Sequence, residues 1–295
     1  MKKQLDWIET QRDRMVELVH RWSSINSGTF HKAGVTEMTR AAHAEFLSLD
    51  SQARLVDVTG IEQIDHRGES VVHELGPALS ARCRGDAPRR VLLVIHVDTV
   101  YPRDSDFQMV RKDGTTLYGP GVADAKGGIA VMLVALQALE RYVCETGVGE
   151  LGWEVLLNSD EEIGSGGSEP LLRAAAARNH VGLLFEPALP TGQLVGSRKG
   201  SANFQIRCRG KSAHAGRHFF DGRNAIAAAA EMATQIDALN GRWSDTTLNV
   251  GKIDGGGPVN IVPDIAVLRF NVRYSEQELE TPVARAIDEI MTTVG

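Results

Sequence analysis

The sequence predicts an α/β protein: a mixed, largely parallel sheet flanked by helices, followed by a smaller α+β unit that is incomplete at its end. Three observations carry this. Long apolar, β-branched runs such as "RRVLLVIHVDTV" read as strands covered on both faces. Segments of helical length and composition separate them, which is the pattern of βαβ units. Near residue 196 the texture changes to partly alternating strands around an alanine-rich helix, so the expected domains are 1–195 and 196–295.

The chain opens on "MKKQLDWIETQRDRMVELVHRW", an amphipathic helix with Leu5, Ile8, Met15, Leu18 and Trp22 roughly on one side. It lacks the apolar core and small-residue cleavage site of a signal peptide. "RRVLLVIHVDTV" gives a buried strand, and "DAKGGIAVMLVALQALERYV" gives the next helix, with Asp124 at its start. "WEVLLNS" and "VGLLFEP" are two further buried-strand candidates. Between them "SEPLLRAAAARN" reads as a helix that Ser168 caps and Pro170 opens.

After residue 196, "SANFQIRCRG" alternates like a strand with one solvated face. "NAIAAAAEMATQIDALNG" is a helix ended by Asn240 and Gly241. "TTLNVGKIDGG" and "DIAVLRFNVRYS" follow as strands. The last helix opens at Thr281 and Pro282 and carries the stripe Val283, Ile287, Ile290, Met291 and Val294. Strand, helix, strand, strand, helix is a split βαβ pattern short of its closing strand.

Composition narrows the function. With 295 residues, 42% hydrophobic and 24% charged, the chain is an ordinary globular protein long enough for two domains. A net charge of −6 and the lack of a basic stripe argue against a nucleic-acid partner. No apolar run reaches the roughly 18 residues that suggest a membrane span. The three cysteines, Cys83, Cys144 and Cys208, form no metal or disulfide pattern, which points to a reducing, cytoplasmic location.

The chemistry gathers at strand ends. The first core strand ends in His96 and Asp98, the second in Asp160, Glu161 and Glu162, and the third in Glu186. In an open α/β sheet the carboxyl ends of parallel strands form the ligand crevice. Asp124 enters from the glycine-rich loop "LYGPGVADAKGG". Each residue alone has an ordinary reading: a solvated histidine, an acidic loop start, a helix cap. Together they make a rim of carboxylates that would repel itself without a cation, because an unpaired buried ion costs roughly several kcal/mol. Mixed nitrogen and oxygen donors suit zinc, cobalt or manganese. A shareable carboxylate suits two ions about 3.5–4 Å apart.

The ordered motifs "HVDTVYP", "LYGPGVADAKGG", "NSDEEIGSGGS", "FEP", "GKSAHAG" and "NIVPD…NVRY" resemble the M20 family of metallopeptidases, and within it the glutamate carboxypeptidases. The resemblance implies a zinc-exopeptidase-like catalytic domain with a ferredoxin-like lid through which the protein forms a homodimer. It implies two Zn²⁺ per complete chain, with Co²⁺ or Mn²⁺ as alternatives. By motif position His96 and Glu186 would hold one ion, Asp124 would bridge, and Glu162 would hold the other. Asp98 would orient the His96 imidazole, and Glu161 would be the general base toward a metal-bridging water. His214 would reach a neighbouring subunit's site and steady an oxyanion; Asn260 and Arg273 would bind substrate, Arg273 at the terminal carboxylate. Asp160 acquires no role.

The implied reaction is hydrolysis of an amide bond next to a C-terminal residue, glutamate or a similar acid, in a small peptide. N-acyl amino-acid deacylation is the alternative within the family. The family also completes the second metal site with a distal histidine, whereas the last histidine here is His218. The expectation is therefore a C-terminally truncated chain with an incomplete second site, and an inactive fragment stands as the competing reading.

Overall fold

The computed structural model describes residues 2–49, 51–189 and 191–295. The chain divides into two compact units, residues 1–61 with 73–191, and residues 62–72 with 192–295. This differs from a single first domain over 1–195. Residues 62–72, most of a hairpin of Ile61–Ile64 and Ser70–His73, belong to the second unit. The Ile64 amide donates to Gln205 Oε1 at 2.8 Å, Arg269 Nη2 donates to the Ile64 carbonyl at 2.7 Å, and Arg207 Nη1 to the Gly68 carbonyl at 2.9 Å.

Unit 1 is built on five strands: β1 (Arg54–Val56), β2 (Ala78–Cys83), β3 (Arg89–His96), β4 (Leu151–Asn158) and β5 (Val181–Leu184). Their order is β1-β2-β4-β3-β5. β3 runs parallel to both β4 and β5, while the β1–β2 and β2–β4 pairs are antiparallel. The sheet is thus mixed, and its parallel half is the half that carries the acidic strand ends. The register pairs His96 with Asn158, so the ends of β3 and β4 lie level.

Helices α1 (Lys2–Thr10), α2 (Arg12–Ser23), α3 (Lys32–Phe46), α4 (Gly127–Thr146) and α5 (Glu169–Arg178) complete the unit. Alternate residues of the central strands face two cores, as the period of a strand demands. Leu93, Ile95, Trp153, Val155 and Leu157 join Trp22, Met38, Phe46, Ile129, Met132 and Leu133 in the larger one. Leu92 and Leu156 pack with Ala78 and Ala175 in the other. By length and composition Val122–Thr146 would suit a membrane crossing. Its first half is buried on most sides, with Ile129, Ala130, Met132, Leu133 and Leu136 packed in the larger core, which accounts for its apolarity.

Three expectations are corrected. The opening helix is two helices, and Leu5 is 58% exposed while Leu18 and Trp22 are buried. Strand β5 is not buried: it is the edge of the sheet, with Val181, Leu183 and Leu184 all exposed. Ser168 heads α5 but makes no side-chain cap. The Asp160 carboxylate instead holds the turn just ahead of the helix, accepting from the Gly167 amide at 2.7 Å, the Ser168 amide at 3.2 Å and the Ser168 hydroxyl. Asp160 is fully buried and its function is to close this turn.

Unit 2 has a three-stranded antiparallel sheet of β6 (Gly200–Arg209), β7 (Thr247–Gly255) and β8 (Ile265–Tyr274), ordered β6-β8-β7. Helices α6 (Ala225–Asp237) and α7 (Glu280–Val294) pack on it through Ala229, Met232, Ile236, Val283, Ile287 and Ile290. Asn224 caps α6 by accepting the Ala227 amide at 3.0 Å.

In unit 1, Glu140 of α4 takes a two-pronged contact from Arg84 (2.5 and 2.6 Å) and a 2.7 Å hydrogen bond from Trp153 Nε1 of β4. Burial pushes its carboxyl up, but the Arg84 and Trp153 hydrogen bonds win and hold it below the ordinary value of 4.5. A carboxyl with a lowered folded-state pKa stabilises fully above the ordinary range and loses that effect as pH falls through the folded value. Glu140→Gln should therefore cost about 1–3 kcal/mol at neutral pH. In chemical denaturation across pH, the gap from wild type should close on acidification below the ordinary carboxylate range.

Candidate metal centre

The site is assembled by the level ends of the parallel strands. β3 delivers His96 as its last residue, and the chain after β4 turns at once into a short helical turn, Glu161–Ile163. Glu186 lies two residues past β5. Asp124 comes from the irregular turn Val122–Lys126 ahead of α4; its backbone is non-helical (φ −119°, ψ 93°), and no side chain caps α4. It therefore does not act as the helix cap that its position in sequence allowed. The turn is tightly built. Gly121 has φ +75°, and a Cβ there would meet Lys126 and Thr99 side-chain carbons at 3.0 Å. A Cβ at Gly128 would lie 2.2 Å from the Phe185 carbonyl, so glycine lets α4 approach the end of β5.

His96, Asp124 and Glu162 each offer a ligand atom within 4.8 Å of the others. His96 Nε2 lies 2.9 Å from Asp124 Oδ1 and 3.9 Å from Glu186 Oε2. On the other side of the ring, Nδ1 lies 3.0 Å from the Asp98 backbone carbonyl and 3.3 Å from Asp98 Oδ1. Neither oxygen has a hydrogen to give, so Nδ1 carries the proton, and Nε2 is the nitrogen turned toward the carboxylates.

Asp98 is fully buried and organises the site. Its carboxylate accepts from the Thr29 hydroxyl at 2.7 Å, the Glu161 amide at 3.2 Å and the Glu162 amide at 3.3 Å. One side chain thus fixes the His96 ring, the acidic turn and the N-terminal segment. Glu161 and Glu162 diverge as a result: Glu161 is exposed, and Glu162 is half-buried within the cluster.

The electrostatics fit a cation. Burial would lower the His96 pKa, but hydrogen bonds to Asp98 and Asp124 and the charge of Glu186 raise it to about 10. Burial raises the Glu162 pKa to about 7; His96 opposes this, and the charges of Asp124, Asp98 and Glu161 add to it. A divalent ion among the three donors would relieve both shifts at once. One imidazole nitrogen with carboxylate oxygens is a donor set that zinc accepts.

The candidates of unit 2 stand apart from this group in the chain. His214 pairs with Ile261 in a two-stranded ribbon, and the Asn260 carbonyl accepts from the Ala215 amide at 2.9 Å, so those two residues are neighbours. His214 Nδ1 accepts the Gly216 and Arg217 amides at 3.1 and 3.2 Å. Arg273 lies on β8, exposed, with Nε donating to Asn271 Oδ1 at 2.9 Å.

Residues 196–295 match the peptidase dimerisation domain of the M20 type. Carboxypeptidase G2 of Pseudomonas sp. (strain RS-16) is 29% identical over 95% of this chain. The chain therefore carries a dimerisation domain of the M20 type. It spans 64% of that relative's length; a probable carboxypeptidase of Aspergillus flavus is 31% identical, with 63% of this chain and 46% of the relative covered. An M20 family metallo-carboxypeptidase from Sulfolobus solfataricus has the same fold, with a TM-score of 0.71, 16% identity, and 95% and 76% of the two chains covered. A dinuclear metal-binding M20 peptidase of Bacillus subtilis superposes with a TM-score of 0.58 at 14% identity, over 97% of this chain and 70% of that one.

Two contributors escaped the sequence reading. Thr29 lies outside every strand-end motif, and only its bond to Asp98 reveals it. Lys126 is fully buried, its ammonium donating to the Ile25 carbonyl at 3.0 Å; burial pulls its pKa down to about 7. The "SSINSGTF" segment, rich in small polar residues, was the available signal for Thr29. Partners that orient a metal ligand typically cost about 10–100-fold in affinity when lost. Thr29→Val should weaken zinc binding about tenfold in chelator competition, and Thr29→Ser, which keeps the hydroxyl, should bind like wild type.

Proposed function

We propose that this protein is a metal-dependent hydrolase of the M20 type that cleaves the amide bond next to a C-terminal amino acid, glutamate or a similar acid. The observation that carries the reading is the divergence of Glu161 and Glu162. One carboxylate is held in the cluster with His96 and Asp124, and its neighbour is left exposed for proton transfer. The likeness to a carboxypeptidase over nearly the whole chain supports cleavage at a C-terminal residue, and the resemblance of the motifs to glutamate carboxypeptidases supports glutamate there.

In this reading His96, Asp124, Glu162 and Glu186 would hold the metal, zinc with cobalt or manganese able to substitute, and the complete protein would hold two ions. The bound ions would supply Lewis acidity to the scissile carbonyl and make a water acidic enough to attack near neutral pH. Glu161 accepts the proton of the attacking water and returns it to the departing amine. Asp98 keeps the His96 ring in the tautomer that presents Nε2. By motif position alone, Arg273 would pair the terminal carboxylate, Asn260 would hydrogen-bond the substrate, and His214 would steady the developing oxyanion. The dimerisation domain supports a homodimer, and in this reading His214 would serve the partner's site.

The purified chain, loaded with zinc or cobalt, should release glutamate from N-acyl-glutamates. Glu161→Ala should lower kcat by about 10²–10⁴-fold with metal content unchanged by elemental analysis. Full turnover in that variant would refute the base assignment, and an inert metal-loaded wild type would refute the hydrolase reading. Arg273→Ala should raise KM for glutamate substrates, again with metal content unaltered.

A further inference from the structure

Next to the cluster, unit 1 holds a cleft of about 450 Å³ whose lining includes Phe30, Val100, Pro102, Arg103, Glu162 and Ile163. Glu162 belongs to both the cleft and the cluster, so a ligand reacting at the cluster has this cleft as adjoining space within the unit. The walls are preformed. Gly28 and Thr99 form a parallel bridge, the Thr99 amide donates to the Ser27 carbonyl at 3.0 Å, and Asn26 Nδ2 donates to the Tyr101 and Pro102 carbonyls at 3.2 and 3.3 Å. A Cβ at Gly28 would stand 2.4 Å from the Tyr101 carbonyl, which shows how closely the two segments meet.

The lining has a definite chemistry. Phe30 is 48% and Val100 62% exposed, which leaves apolar surface open beside a charged site. Arg103 is exposed, and its guanidinium has no hydrogen bond or ion pair among the described residues. In the wall, the buried Thr99 hydroxyl likewise has no partner among them.

The geometry points to a subsite for the acyl portion of the substrate, selective for an aromatic or branched apolar acyl group whose far end carries a carboxylate for Arg103. Phe30, Val100 and Pro102 cover the body of the group, and Arg103 pairs with its anionic end. This deepens the hydrolase reading and rests on it for the identity of the ligand.

The test uses probes that lack a scissile bond to an amino acid. Calorimetric titration of the zinc-loaded chain should show 4-carboxybenzamide binding about tenfold tighter than benzamide, the scale of one partly solvated charge-assisted contact. Arg103→Gln should erase that difference, and Phe30→Ala should weaken both probes about tenfold, with zinc content unaltered in each. Equal binding of the two probes by wild type, or a preference that survives Arg103→Gln, overturns the subsite. Kinetics separates it from the wider reading. The ratio of kcat/KM for 4-carboxybenzoyl-glutamate over acetyl-glutamate should fall about tenfold in Arg103→Gln. Probe discrimination without hydrolysis would keep the subsite and refute the hydrolase, whereas hydrolysis without discrimination would do the reverse.

Discussion

A single buried carboxylate, that of Asp98, is the constraint on which the candidate site depends. It has no exposed surface, and a bare carboxylate in such a place would cost several kcal/mol. It is tolerated because a hydroxyl, two backbone amides and an imidazole converge on it. Those groups come from three distant stretches of chain, so satisfying one anion fixes their mutual positions. The orientation of the His96 ring, with Nε2 toward Asp124, and the split between Glu161 and Glu162 both follow from that arrangement.

The sheet explains why these stretches meet. Parallel strands bring their carboxyl ends to the same rim, and the level register of β3 and β4 puts His96 beside the start of the acidic turn. The antiparallel half of the sheet cannot do this, since its strands alternate in direction. It serves the core and the Arg84–Glu140–Trp153 network.

Much of this was legible in the sequence. The runs at 89–96 and 151–158 and the long helix after Lys126 follow from hydrophobic length alone, and the metal-type residues at their ends follow from position. Strand β5 misled because "VGLL" has the same composition whether a sheet continues beyond it or ends there; pairing decides burial, and local sequence does not. Asp160 was illegible for a different reason. In "NSDEE" three like acids look equivalent, but one is turned inward to close a loop, one joins the cluster and one remains in solvent. Thr29 and Lys126 act through partners about 70 and 100 residues away, beyond the reach of any local pattern.

The hairpin over residues 62–72 gives the second unit a history as well as a shape. It is made early in the chain, yet the groups that hold it, Gln205, Arg207 and Arg269, follow well over a hundred residues later. During synthesis from the N-terminus it must wait, unpaired, while the whole of the intervening 73–191 segment emerges. Contacts of such sequence separation close slowly because the loop entropy is lost before they form. Unit 1 can organise its sheet during that delay, before the groups that hold the hairpin have been made. The same threading means that no single cut releases unit 2 whole, since a break near residue 192 leaves its first two strands attached to the other unit.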